Sequence, residues 1–284
     1  MIPSSVDYTR ASSVGEAIRL LAENPEAKLL AGGHSLIPAM KLRLNSPALL
    51  IDIARIAELR FIEDTGNAIV IGAASTHADI ITNPYLKGLT AMIEAGELIG
   101  DTQVRNMGTL GGSIAHADPS ADWPAVLLAL EAQIKVQGAD GERIIPAAEF
   151  FTGFFSTALD TGEIVTEIHL PKPAVGSASA YRKFMQPASR FAIVGCAASV
   201  TVEGGVISAS NVAFTGVSDA AFLDEGVASA LIGKPATLEN IEAAASAAAE
   251  GDMHINEDHF ASQAYRKHLA KVYAKRALVG ACGL

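Results

Sequence analysis

Apolar and polar positions alternate along this chain in short runs, and glycine marks most of the breaks between them. Ser13-Val-Gly-Glu16 has the form of a capping box, and Val14, Ala17, Ile18 and Leu21 then recur at helical spacing, predicting a first amphipathic helix. The apolar run Lys28-Leu-Leu-Ala31 predicts a short buried strand that stops at Gly32-Gly33, with Leu36, Met40 and Leu44 giving a helical turn or two beyond it. Residues 47–52 read as a second strand, and 59–63 with 68–72 as a hairpin turned at 64–67. Thr76-His-Ala-Asp79 marks another helix start, followed by a helix through Ala91 to Ile99. A second glycine-rich segment, QVRNMGTLGGSIAHADPSADWPA, leads into a helix with Asp122 near its start.

Further along, 133–137 and 143–145 flank the turn Gly138-Ala-Asp-Gly141, and 163–170 alternates like a half-buried strand. Pro171-Lys-Pro-Ala-Val-Gly-Ser177 reads as a linker. Strands around 191–202 and 207–214 precede Ala-rich helices from about 219 to 278, and strands followed by helices predict an α+β second domain. A length of 284 residues allows at least two such units, and no internal repeat divides it further.

Composition narrows the function. Half of the residues are hydrophobic, yet no apolar run reaches the ~18 residues of a membrane span, so the apolar surplus belongs in cores or subunit contacts. The opening MIPSSVDYTR has no basic segment leading into an apolar one, and the expected location is the cytoplasm. A net charge of −10, with no basic stripe among 21 Lys and Arg, excludes a polynucleotide partner. Two cysteines, Cys196 and Cys282, are too few for a disulfide framework, a thiolate zinc site or an iron–sulfur cluster, so any cluster would lie on another chain.

Candidate chemistry gathers at the two glycine segments. Glycine at a strand end lets backbone N–H groups approach a bulky anion, and two such loops, with Ser35 in one and Thr109 and Ser113 in the other, suit the diphosphate of a dinucleotide. Turn glycines without a ligand are the alternative. No Gly-Lys-Ser/Thr follows either loop and no Gly-x-Gly-x-x-Gly opens a βαβ unit, which disfavours a Walker nucleotidase and a Rossmann dehydrogenase. Asp122 reads as a helix N-terminal carboxylate and Lys183 as a solvated charge. His116, Asp118 and Asp122 form no convincing metal set, and no nucleophile–base pair stands out.

Three stretches together, AGGHSLIPAMKLRL, QVRNMGTLGGSIAHADPSADWPA and AYRKF, resemble the FAD-binding medium subunits of the molybdenum hydroxylases, the family that includes aerobic carbon monoxide dehydrogenase and xanthine dehydrogenase. The likeness extends over essentially the whole chain. It implies an α+β fold: a PCMH-type, vanillyl-alcohol-oxidase-like FAD-binding domain over 1–175, in subdomains of about 1–55 and 56–175. A C-terminal domain of the carbon monoxide dehydrogenase flavoprotein type, an antiparallel sheet with helices, would follow over 176–284. It further implies that Ala31, Gly32, Gly33, His34, Ser35 and Leu36 line one wall of the FAD pyrophosphate site and Thr109, Leu110, Gly111, Gly112 and Ser113 the other, mostly through their backbone N–H groups. His116 and Asp122 would lie along the cofactor. Lys183 would stand at the flavin's pyrimidine edge, where a cation stabilises the anionic reduced ring and raises its potential, and Phe191 at a position where relatives carry a tyrosine against the ring.

The implied activity is that of an oxidoreductase subunit with no catalytic side chain or metal of its own. A large subunit with a molybdenum cofactor would oxidise the substrate, and a small subunit with two 2Fe-2S clusters would relay electrons to this flavin and on to an external acceptor: quinone, cytochrome or NAD. The assembly would be a dimer of heterotrimers. Two readings compete: a free-standing PCMH-type oxidase with FAD bonded to His34, and a cofactor-free interaction subunit. Neither the substrate, whether carbon monoxide, aldehyde or N-heteroaromatic, nor the surfaces that meet the partners can be read from this chain.

Overall fold

The computed structural model describes residues 2–251 and 253–284. Among them, three sheets carry the architecture, in the chain order that the apolar pattern gives. The first is parallel: Asp7–Arg10 and Ala27–Leu30 flank Leu49–Asp52, with Asp7 and Ala27 both opposite Leu49. The helix Val14–Glu23 makes the crossover. Its Ser13 side chain accepts from the Glu16 N–H, but the Glu16 carboxylate turns to Ser12 instead of closing a capping box on Ser13.

The second sheet is antiparallel, in the order Ile62–Asp64, Ala68–Gly72, Ile164–Pro171, Gln133–Gly138 and Gly141–Pro146. All of the chain between 72 and 133 is helical or loop and lies between two strands that are not themselves neighbours. It includes His77–Thr82, which does open on a capping box of Thr76 and Asp79, as well as Thr90–Leu98, Leu110–His116 and the fully buried Asp122–Ala129. Trp123, Phe150, Ile71 and Leu110 fill the core beneath.

The third sheet, Ser177–Met185, Ala192–Glu203, Val206–Thr215 and Phe222–Leu223, is an antiparallel meander. Its first strand escaped the sequence reading, because SASAYRKFM pairs small residues with polar ones and holds no β-branched residue. Period-two alternation gives this sheet two apolar faces. Tyr181, Ala197 and Ala213 join the core of the first 175 residues, whereas Cys196, Ala198, Val212 and Phe214 join a second core roofed by the helices Glu225–Leu231, Leu238–Ala245 and Gln263–Cys282.

Polar anchors fix the junction. The Thr215 hydroxyl lies 2.8 and 2.7 Å from the carbonyls of Pro119 and Ala121, Gly216 N–H donates to Pro119, and Ala192 N–H donates to Ser120. From the second core, the Arg266 guanidinium donates to the carbonyls of Ile193 and Gly216 and to Asp258. The loop 117–121 therefore takes its shape from the C-terminal sheet. Thr215→Val keeps the volume but leaves buried carbonyls short of a donor, and should destabilise the protein by ~1–3 kcal/mol, read as a lower urea midpoint at unchanged slope.

Candidate functional site

The two glycine loops meet backbone to backbone. A Cβ on Gly32 would stand 2.0 Å from the Met107 carbonyl oxygen and 2.9 Å from the Gly108 Cα, so no larger residue fits while the loops keep this distance. One on Gly112 would touch the Ala31 side chain at 3.9 Å. Gly33 has φ +74°, which suits glycine, and it turns the chain into the helix Leu36–Lys41.

The loops differ in what they leave free. In the first, the N–H groups of Gly32, Gly33, His34 and Ser35 find no acceptor among the described residues, and the Ser35 side chain caps nothing. His34 and Ser35 are exposed. In the second, the sequence expectation of free backbone donors is corrected. Leu110 N–H donates to Ser75 (3.1 Å), Gly111 N–H to Ala73 (2.8 Å) and Gly112 N–H to the Thr109 hydroxyl (3.2 Å). The segment is the first turn of a helix capped by Thr109, not an open loop, so its amides are already satisfied. Gly111 is buried, and a Cβ there would lie 2.5 Å from that of Ala73, which makes it a packing glycine. The half-buried Ser113 hydroxyl and exposed Gly112 are what this segment presents.

Beneath the second loop lies His77, only 4% exposed. Its N–H donates to the Gly108 carbonyl, and its Nδ1 accepts from the Trp123 indole at 3.1 Å. Burial above all, helped by nearby His34 and Arg105, lowers its pKa from 6.5 to about 4, so the ring is neutral at pH 7. Sequence reasoning took His77 only as part of a helix start. Nothing local to the sequence pairs it with Trp123.

Asp122 and Lys183 come together, but not as surface groups. Lys183 Nζ lies 2.9 Å from Asp122 Oδ1 and 3.0 Å from Oδ2, and the buried Tyr181 hydroxyl donates to Oδ1 at 2.5 Å. Lys183 also donates to the carbonyls of Leu98 (3.0 Å) and Arg190 (2.7 Å). Its three hydrogens are thereby committed within the chain, which corrects the solvated-charge reading. Asp122 likewise accepts from its own chain, so its carboxylate is a structural partner. Burial pushes the Asp122 carboxyl up and the Lys183 amine down, while their mutual contact opposes both shifts. Wherever the shared proton lies, the pair sums to zero charge.

Lys183 thus pins the hairpin tip 186–191, which carries Phe191, 44% exposed. That tip adjoins the loop 117–121 through the Ala192–Ser120 bond, and the loop continues directly from the helix Leu110–His116. At that helix end His116 is exposed, its ring 5.0 Å from that of Phe155. The helix Leu110–His116, the loop 117–121 and the tip that bears Phe191 are thus joined in sequence by main-chain links.

Residues 4–173 match the family described as the FAD binding domain in molybdopterin dehydrogenase, and residues 179–281 match the CO dehydrogenase flavoprotein C-terminal domain. The carbon monoxide dehydrogenase medium chain of Hydrogenophaga pseudoflava is 42% identical over 98% of this chain and 97% of its own. The glyceraldehyde dehydrogenase medium chain of Sulfolobus acidocaldarius is 37% identical over 98% of each. Among solved structures, carbon monoxide dehydrogenase from Hydrogenophaga pseudoflava superposes with a TM-score of 0.96 over 100% of this chain and 99% of that one, at 42% identity. For quinoline 2-oxidoreductase from Pseudomonas putida 86 the TM-score is 0.94, with the same coverage and 30% identity.

Two outcomes follow from this geometry. Gly32→Ala should separate the loops and lower FAD occupancy of the purified chain at least tenfold, read from the flavin-to-protein absorbance ratio, while Gly15→Ala, in open space on a helix, leaves it unchanged. Because the folded His77 pKa lies below its unfolded value, the unfolded chain takes up the proton first as pH falls. The stabilisation is complete above pH 6.5 and is lost between 6.5 and about 4, by up to ~3 kcal/mol. Urea midpoints across that range should fall less steeply in His77→Phe than in the parent.

Proposed function

The chain belongs to the family of FAD-binding medium chains of molybdopterin dehydrogenases, and from that premise we propose how its residues hold the cofactor and where it stands in its complex. It is the flavoprotein subunit of a molybdenum-dependent oxidoreductase, working with a large subunit that carries the molybdenum cofactor and a small iron–sulfur subunit. FAD supplies the exchange of electrons between the clusters and an external acceptor; the protein supplies binding, orientation and electrostatics.

The first wall of the site is Ala31, Gly32, Gly33, His34, Ser35 and Leu36, whose unused N–H groups receive the pyrophosphate oxygens. The observation that carries this is the run of free amides from Gly32 to Ser35 held against the second loop by the close approach at Gly32. A cradle lined by donors without acceptors, on a loop held against its neighbour where Gly32 meets Met107, fits a diphosphate. The second wall, Thr109, Leu110, Gly111, Gly112 and Ser113, contributes shape and the Ser113 hydroxyl. His116 flanks the extended cofactor, and Phe191 offers the ring a stacking surface. Asp122 and Lys183 act one step removed, by fixing the tip that bears Phe191.

The assembly is a dimer of heterotrimers in the cytoplasm. Its substrate is chosen on the large subunit; relatives named for carbon monoxide, glyceraldehyde and quinoline share this fold. Both the free-standing oxidase and the cofactor-free subunit are set aside, since medium chains match end to end and the cradle is intact.

The complex purified from its native host should show flavin absorption with molybdenum and iron on metal analysis. Two further polypeptides should accompany this chain, with one FAD per copy released by acid. An active, solitary chain that keeps its yellow colour in the acid precipitate would instead establish the oxidase with FAD on His34.

A further inference from the structure

The hairpin tip 186–191 carries an unmatched charge. Arg190 is half-buried, and its Nε is fully buried without a hydrogen-bond partner. Among the described residues, no carboxylate forms a salt bridge with it. Its charge acts on the neighbouring pair, favouring ionised Asp122 and opposing ionised Lys183. That pair is already neutral in sum, so the cluster of Asp122, Lys183 and Arg190 carries a net charge of +1 beneath the tip. A buried guanidinium N–H without an acceptor is costly, and an acceptor brought beside the Arg190 Nε would satisfy it.

Backbone geometry points the same way. Arg190 has φ +63°, a conformation that glycine or asparagine adopts with less strain. The turn is closed by main-chain bonds, Arg190 N–H to the Gln186 carbonyl and Gln186 N–H to the Phe191 carbonyl, and by Lys183 on the Arg190 carbonyl. None of these needs an arginine side chain. The arginine side chain is therefore left free of the turn.

We propose that Arg190, not Lys183, is the cation this chain holds against the flavin ring of FAD, matched by the negative charge the ring gains on reduction. The inference rests on FAD lying between the glycine loops and extending toward Phe191. It moves the tuning charge to the residue next to that phenylalanine, where a side chain change leaves the Lys183–Arg190 carbonyl bond in place.

The test is the midpoint potential of FAD bound to the full chain, measured by equilibration with a reference dye, together with FAD affinity. Arg190→Met should hold the reduced cofactor about tenfold less tightly relative to the oxidised one, which for a two-electron couple is a potential about 30 mV more negative. Arg190→Lys should restore most of the difference, and its comparison with Arg190→Gln serves if the methionine variant does not fold. An unchanged potential at full occupancy in the Met and Gln variants would overturn the proposal. Equal weakening of both redox forms would also overturn it, placing the cation at the phosphates instead. Gly32→Ala separates the two levels: if it keeps FAD, the loop cradle is wrong, whereas loss of FAD there with an unmoved Arg190→Met potential refutes the arginine assignment alone.

Discussion

The hairpin tip and the junction beneath it lean on one buried contact, Lys183 Nζ held between the Asp122 carboxyl group and two carbonyls. Asp122 opens a helix of the first 175 residues, Lys183 lies on the first strand of the C-terminal sheet, and Arg190 forms the tip beyond it. One amine therefore ties both units and the hairpin together. Such a pair adds little net stability over an apolar replacement, because its desolvation offsets its attraction. What it adds is register: a slip of one residue along Ser177–Met185 would turn Lys183 to the opposite face and bury Arg182 in its place.

The glycine segments were the most legible part of the chain, yet their glycines do different things. Both pairs announce a close approach, but only the folded structure separates Gly32, which faces the other loop, from Gly111, which packs on Ala73. Leu110–His116 was read as loop because two adjacent glycines are poor helix formers; tertiary bonds to Ala73 and Ser75 override that preference. Hairpins with good turn residues, such as Gly138 to Gly141, were read nearly to the residue. The strand Ser177–Met185 was not, for want of β-branched residues, and the His77–Trp123 pair and the burial of Lys183 were not because their partners lie 46 and 61 residues away.

A subunit that binds a redox cofactor needs a rigid bed and a chosen field around it, and both are built here from main-chain donors, packing glycines and a few buried charges. The apolar faces of the third sheet serve the same end. With Tyr181 turned to one core and Cys196 to the other, the sheet couples the position of the C-terminal helices to the first core.

That two-faced sheet also sets a timetable. The loop 117–121 is anchored by Ala192, Thr215 and Gly216, and two of those strand ends are held in turn by Arg266, near the end of the chain. A ribosome that has released the first 175 residues has made both glycine loops but none of the anchors that shape the ground between them and Phe191. The ground beneath the tip 186–191 is therefore complete only once the helix Gln263–Cys282 has docked and placed Arg266 on the Ile193 and Gly216 carbonyls.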